Sequence, residues 1–193
     1  MNNFSNINIR FAKPSDAEMI AICHVISWQK IYRGHIPDNV LDSLSIKERE
    51  KKWQDLLNNN VKILVLERDN KIIGFASLCP ARDKDTDPKK CGEISAIYLH
   101  PGFWHQGLGK KICQAALSEL GVMGFSEVIV WALKENEQAR KFYTALGFTE
   151  TDHTKLAPYN KDVILNEVRY QIKLNNQFSF KLLKEIDLNR KHY

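Results

Sequence analysis

The segment from residue 93 to residue 120 constrains the fold more than any other part of the chain. Residues 93 to 99 are predicted to form a strand, and residues 101–110, Pro-Gly-Phe-Trp-His-Gln-Gly-Leu-Gly-Lys, contain three glycines. Leu108, Ile112, Ala116 and Leu120 then recur every four residues, which is typical of one face of a helix. The sequence therefore predicts a strand, a glycine-rich turn and a helix in immediate succession.

Apolar periodicity places further elements on both sides of this unit. Strands are predicted at residues 6–11, 61–67, 72–78, 126–133 and 163–174, and helices at residues 15–32, 45–57 and 137–146. Residues 15–18 are predicted to form a capping box, the second and third strands an antiparallel hairpin, and the last strand the close of the sheet. We expect one domain over residues 1–174, followed by a polar, potentially helical tail over residues 175–193.

Composition narrows the kind of ligand. The chain of 193 residues has 28 Lys and Arg against 23 Asp and Glu, a formal charge of +5, which suits a phosphate-bearing ligand. The excess is scattered along the chain, so it favours nucleic acid only weakly. Its 4 cysteines and 6 histidines show no metal-ligand spacing, and we expect no metal. No signal sequence or membrane span is evident, which favours the cytoplasm and no membrane partner.

The turn before the central helix is a candidate anion site. The first amides of a helix have no partner within the helix and lie at the positive end of its dipole, and Lys110 and Lys111 add charge. The spacing matches neither the GxxxxGK[ST] phosphate loop nor the GxGxxG dinucleotide fingerprint. A purely structural role for Gly107 and Gly109, as a tight turn from strand to helix, remains the alternative.

Two motifs give this chain a resemblance to a known family. Residues 104–109, Trp-His-Gln-Gly-Leu-Gly, match the pyrophosphate loop Arg/Gln-x-x-Gly-x-Gly/Ala, with Trp104 where Arg or Gln is usual. Residues 136–148 match the block Asn-x-x-Ala-x-x-x-Tyr-x-x-x-Gly-Phe. Over about residues 7–174 the chain resembles the GCN5-related N-acetyltransferases (GNAT).

The resemblance implies an α/β (α+β) fold, with a mixed, mainly antiparallel sheet flanked by helices, and acetyl-CoA as co-substrate. It implies that the strand edge holds the pantetheine arm, that the glycine turn holds the pyrophosphate, and that the amide of Leu99 or Tyr98 stabilises the oxyanion. The implied cofactor-binding residues are Ile97, Tyr98, Leu99, Trp104, His105, Gln106, Gly107, Leu108, Gly109, Lys110, Asn136 and Tyr143.

Direct acetyl transfer in a ternary complex needs an acid for the leaving thiolate and a base for the acceptor amine. The family pattern places the Tyr143 hydroxyl beside the sulfur as the acid, although Tyr143 also continues the apolar face of its helix. Glu93, on the cofactor strand, is the candidate base through a water, and a solvated glutamate at a strand end is the alternative. Asn136 is expected to cap its helix in either case.

The acceptor remains open between a small-molecule amine and a protein or peptide amine. Trp28, Tyr32 and Trp131 are candidates for an aromatic wall around it, although such residues are more often core. A non-catalytic CoA sensor or partner-binding module is the alternative function, and a nucleic-acid binder is a third, weaker one. Relatives are often dimers, so a homodimer is one expected state.

Overall fold

The computed structural model describes residues 6–161 and 163–174, in which seven strands form one sheet flanked by helices on both faces. The strands are β1 (Ile7–Phe11), β2 (Lys62–Arg68), β3 (Lys71–Pro80), β4 (Cys91–Leu99), β5 (Glu127–Leu133), β6 (Thr149–Pro158) and β7 (Ile164–Lys173). The helices are α1 (Ala17–Ile31), α2 (Asp38–Asp42), α3 (Ile46–Asn58), α4 (Leu108–Val122) and α5 (Glu137–Ala145). The predicted tail at residues 175–193 lies outside the described residues.

The strand order is β1-β2-β3-β4-β5-β7-β6, and every neighbouring pair is antiparallel except β4 and β5, which are parallel. This is the mixed, mainly antiparallel sheet that was predicted, and the hairpin of β2 and β3 is confirmed. The sequence did not predict β6, which pairs with β7 at the edge of the sheet. The prediction that residues 163–174 close the sheet was therefore wrong.

Alternation along the central strands buries both faces of the sheet. Ile63 and Val65 of β2 pack with α1 and α3, whereas Leu64 and Leu66 pack with α4. Such continuous burial is typical of a strand covered by helices on each side. The two faces of the sheet therefore have separate cores.

The start of α1 differs from the prediction. Ser15 does not cap the helix, because a turn of 3-10 helix over Pro14–Asp16 precedes it. The Asp16 carboxylate instead accepts the amide of Lys13 (2.8 Å) and pairs with Arg10 of β1 (2.7 Å). At the start of α3, by contrast, a serine does cap the helix, since the Ser45 hydroxyl accepts the amide of Glu48 (3.2 Å).

Pairing between β4 and β5 ends early and opens a gap in the sheet. The parallel ladder joins Cys91–Ile94 to Glu127–Val130 and goes no further along either strand. On the other side of β4, the register with β3 shifts between Ser77 and Leu78, a bulge that bends the strand. The last five residues of β4 therefore diverge from β5.

Candidate functional site

A cavity of about 470 Å³ lies beside the end of β4 that diverges from β5. Its walls come from the end of β4, the turn after it, the first turns of α4 and α5, and Ile31 at the end of α1. Two helices thus begin at the same cavity. Because each helix N-terminus presents unpaired amides and a positive partial charge, the cavity favours an anionic ligand.

The glycine turn takes the form that an anion site requires. Gly107 is the N-cap of α4 with φ +75°, a left-handed conformation that glycine adopts without strain. A Cβ built on Gly109 would lie 3.4 Å from Phe142 of α5, so a small residue lets the two helices approach. Lys110 lies on the cavity wall in the first turn of α4 and adds positive charge.

Ten of the twelve predicted cofactor-binding residues line the cavity. They are Ile97, Tyr98, Leu99, Trp104, His105, Gly107, Gly109, Lys110, Asn136 and Tyr143. The side chains of the other two point elsewhere, since Gln106 is exposed and bonds to Arg68 (2.9 Å), and Leu108 is buried in the core beneath α4.

The wall also contains Gln138, Ala139, Lys141 and Phe142 of α5, and Ile112 of α4, which sequence reasoning did not select. The four residues of α5 lie in the second motif block, on the same helix turns as Asn136 and Tyr143, and this position could have indicated them. Asn136 caps α5 as predicted, its side-chain oxygen accepting the amide of Ala139 (3.0 Å).

The backbone of β4 alternates between its two neighbours. The His100 amide donates to the Ile73 carbonyl on β3 (2.8 Å). Alternation in an antiparallel pair then turns the backbone of Tyr98 towards β3, and that of Ile97 and Leu99 towards the gap. Of the two amides named for the oxyanion, the geometry therefore favours that of Leu99.

Trp104 directs its only donor into the protein. The indole Nε1 donates to the Leu99 carbonyl (2.7 Å), which also accepts the Ser27 hydroxyl from α1 (3.1 Å). One carbonyl thus joins α1, the end of β4 and the glycine turn. The side chain at this position fixes the turn and leaves no donor for a phosphate.

Tyr143 is 5% exposed, and its ring packs against Phe142, Phe148 and Tyr170. It nevertheless reaches the cavity wall. Burial, followed by the nearby Cys113 and Tyr98, raises the pKa of Tyr143 well above 10. The phenol is therefore neutral at physiological pH and available as a hydrogen-bond donor.

Glu93 does not reach the cavity. It is 2% exposed, and its carboxylate accepts the Nε (2.9 Å), Nη2 and backbone amide of Arg82. A charged side chain buried this deeply needs such a partner. The solvated strand end considered from the sequence is wrong, because the carboxylate is buried and paired.

The three predicted acceptor aromatics do not form one wall. Trp28 and Tyr32 make an edge contact (centroids 4.8 Å) in a buried cluster, and the Trp28 indole donates to the Tyr98 hydroxyl (2.8 Å). Trp131 lies apart from that cluster, with its indole donating to Asp83 (3.1 Å) and the Lys155 ammonium 4.0 Å from its ring centroid.

In the described part of the chain, no group of three or more His, Cys, Asp or Glu side chains is placed to hold a metal ion. In residues 6–161 and 163–174, no helix has the length and apolar character needed to span a membrane.

These features define an acyltransferase of the GNAT class. The model of the Acetyltransferase (GNAT) family matches residues 28–148, so the chain belongs to this family. The resemblance, the fold class and the prediction of an enzyme are confirmed.

Relatives agree with this assignment. The chain is 35% identical over 132 residues to YuaI of Bacillus subtilis, an uncharacterized N-acetyltransferase, covering 67% of this chain and 73% of that protein. Among solved structures it resembles the PaiA N-acetyltransferase of Thermoplasma acidophilum in complex with coenzyme A (TM-score 0.68, 24% identity, 88% and 99% of the chains). It also resembles YncA of Salmonella typhimurium with its cofactor acetyl-CoA (TM-score 0.64, 22% identity, 88% and 95%). At these identities the structures show the fold alone.

Proposed function

We propose that this enzyme transfers an acetyl group from acetyl-CoA to a primary amine by direct attack in a ternary complex. The observation that carries the proposal is the cavity beside the diverging end of β4, where two helix N-termini meet a buried tyrosine. Both faces of the sheet border this gap. A donor and an acceptor can therefore meet there from opposite sides.

The donor is proposed to lie on the α4 and α5 side. The pyrophosphate would accept hydrogen bonds from the amides at the start of α4, beside Lys110. The pantetheine arm would bond the backbone of Ile97 that faces the gap, because the Leu99 carbonyl already accepts Trp104 and Ser27. Because Trp104 gives its donor to Leu99, the backbone and Lys110 would hold the phosphates without help from that side chain.

In the transfer step, the amine nitrogen attacks the thioester carbon, and the oxyanion accepts a hydrogen bond from the Leu99 amide. The intermediate then breaks its carbon–sulfur bond. Tyr143 donates its phenolic proton to the departing sulfur, which leaves as the CoA thiol, and the phenolate regains a proton from solvent before the next turnover. Since its raised pKa keeps the phenol neutral, Tyr143 is a donor throughout the physiological range.

Removal of the acceptor's proton is proposed for Glu93, acting through a water at Oε1 while the pair with Arg82 stays in place. Oε1 accepts only the Nη2 of Arg82, whereas Oε2 accepts both its Nε and its backbone amide. Glu93→Gln is expected to lower kcat most at low pH, where the amine is protonated. An unchanged pH profile would remove Glu93 from the mechanism.

The proposal is tested by thiol release from acetyl-CoA in the presence of a panel of primary amines and lysine-containing peptides. Acceptor-dependent release of CoA, with a matching N-acetyl product by mass spectrometry, is the expected result. Binding of acetyl-CoA with no acceptor-dependent release across small amines and peptides would instead support the CoA-binding sensor.

Three further predictions stand beside this proposal: a domain that ends near residue 174, a cytoplasmic location and a homodimer. Sizing of the full chain and of a chain cut after Leu174 tests the first and third together. A dimer that persists after the cut would place the interface within residues 1–174.

A further inference from the structure

Arg49 of α3 differs from the other arginines in the described part of the chain. Each of the others has a carboxylate oxygen within 4.0 Å: Arg10 with Asp16, Arg33 with Asp38, Arg68 with Asp69, Arg82 with Glu93, Arg140 with Glu150 and Arg169 with Asp85. In residues 6–161 and 163–174, no carboxylate lies within that distance of Arg49. Its charge is therefore available to an anion.

Aromatic rings hold Arg49 in place. Its guanidinium carbon lies 5.3 Å from the centroid of the Trp28 ring and 5.8 Å from that of Tyr159, and Nη2 donates to the Tyr159 hydroxyl (2.8 Å). These contacts fix the guanidinium and use few of its five N–H donors. A fixed guanidinium with spare donors is suited to bidentate binding of a carboxylate.

The position of Arg49 relates it to the reaction. Trp28, which lies under the guanidinium, donates to the Tyr98 hydroxyl (2.8 Å), and Tyr98 lines the cavity with Tyr143. Burial raises the pKa of Tyr98, and the positive charge of Arg49 opposes that shift. Arg49 is thus one indole ring beyond Tyr98, on the sheet face opposite α4.

We propose that Arg49 binds the acceptor through a carboxylate several bonds from the amine that is acetylated. This inference rests on the proposed function and names the substrate class of the same site: a primary amine with a distant anionic group. Because the Trp28 indole separates Arg49 from Tyr98, the carboxylate must be several bonds away from the amine and cannot be adjacent to it.

Matched acceptors test the proposal, with 6-aminohexanoate compared against hexylamine, and lysine against cadaverine. We expect kcat/KM to be about 10- to 100-fold higher for the carboxylate member, the range of a charge-assisted hydrogen bond. Arg49→Met should remove this preference and change kcat/KM for the plain amine by less than about 3-fold. Arg49→Lys should retain part of the preference, since it keeps the charge and loses the bidentate geometry.

Arg33→Met is the control, because Arg33 is already paired with Asp38 and Asp42. Equal rates for both members of each pair, or an equal loss for both in Arg49→Met, would overturn the proposal. If neither member of a pair is turned over, calorimetry measures how the N-acetyl products bind the enzyme in the presence of CoA. Equal affinity of the unaltered enzyme and Arg49→Met for the product that carries the carboxylate would overturn the proposal. If the unaltered protein does not bind acetyl-CoA, the proposed function itself is rejected.

Discussion

The two sides of β4 are built differently. On the α4 and α5 side, two short, continuous segments supply two helix N-termini and all of the cavity wall except Ile31. On the α1 and α3 side, aromatic rings and their hydrogen bonds come from segments far apart in the chain, as in the contact of Arg49 with Tyr159. The α4 and α5 side suits a ligand that is recognised by its phosphates. The α1 and α3 side suits a ligand that is recognised by its own functional groups.

The difference between the two sides separates recognition by the backbone from recognition by side chains. Backbone hydrogen-bond donors depend on the fold and tolerate changes of side chain, so the same scaffold can bind the same acetyl donor in chains of different sequence. Specificity for the acceptor depends on the side chains grafted onto the opposite face. The following predictions separate the two sides.

The largest effect is expected on the donor side, from Tyr143→Phe. Removing the hydroxyl that is proposed to protonate the departing sulfur should lower kcat by about 100-fold or more. The affinity for acetyl-CoA, measured by calorimetry, should stay within about 2-fold. The control is Tyr170→Phe, a buried neighbour (centroids 5.7 Å) whose hydroxyl bonds Glu150 and Arg140 outside the cavity. Equal loss of kcat in both variants would contradict the role of Tyr143.

The next effect concerns the stability of the acceptor side. His24 stacks on Tyr98 (4.8 Å), and its Nδ1 accepts the Trp53 indole (3.1 Å). Burial, with the charges of Arg49 and Lys52, lowers the pKa of His24 from 6.5 to about 3. Since the unfolded chain binds this proton below about pH 6.5 and the folded chain does not, stability is present above pH 6.5 and is lost towards pH 3.

His24 should therefore contribute a slope of about 1.4 kcal/mol per pH unit to the free energy of unfolding between those values. His24→Gln keeps an acceptor for Trp53, and should make the slope shallower by that amount in urea titrations from pH 6 to pH 4. His35→Gln, at an exposed position, should leave the slope unchanged. If His24→Gln keeps the original slope, the assignment of the acid sensitivity to His24 is wrong.

A smaller effect is expected for Gly107→Ala in the pyrophosphate turn. A Cβ at this position meets no atom within 4 Å, so the cost is the left-handed backbone alone. That cost is roughly 1–2 kcal/mol in the free energy of unfolding. Gly109→Ala is the control, since it makes an ordinary contact with Phe142 and the family pattern allows alanine there. Both are measured by urea denaturation, and equal losses would contradict the account of the turn.

The smallest effect is expected for Trp104→Phe, which removes one donor from the Leu99 carbonyl and keeps an aromatic ring. We expect the KM for acetyl-CoA to rise by about 2- to 10-fold with kcat unchanged, as for the loss of one hydrogen bond. Ser27→Ala removes the other donor to this carbonyl without touching the cavity wall. It should leave this KM within about 2-fold, and a larger change than in Trp104→Phe would contradict the role assigned to the indole.

The donor side could be predicted because its signals are local. The strand, turn and helix around Gly107 follow one another in the sequence, and Asn136 and Tyr143 share one helix. The acceptor side could not, because Arg49 and Tyr159 are 110 residues apart and only the fold brings them together. Trp131 shows the same limit. Its partner Asp83 lies on the loop between β3 and β4, and its partner Lys155 lies on β6, the strand that the sequence did not predict.

The missed elements also have physical reasons. β6 is an edge strand, largely exposed and irregular between Glu150 and Thr154, so it lacks the alternation of a half-buried strand. α2 has five residues, too few to show helical periodicity. At the start of α1, Pro14 begins a 3-10 turn, and the pairing of Asp16 with Arg10 stabilises it in place of the expected serine cap.

The central claim is that the cavity beside the diverging end of β4 binds acetyl-CoA through the glycine turn. Calorimetric titration of the purified protein with acetyl-CoA, and separately with CoA, tests it most directly. The account predicts micromolar binding of both, because the pyrophosphate site does not involve the acetyl group. Failure to bind either ligand would contradict the account, since the turn and both helix N-termini would then have no anion to hold.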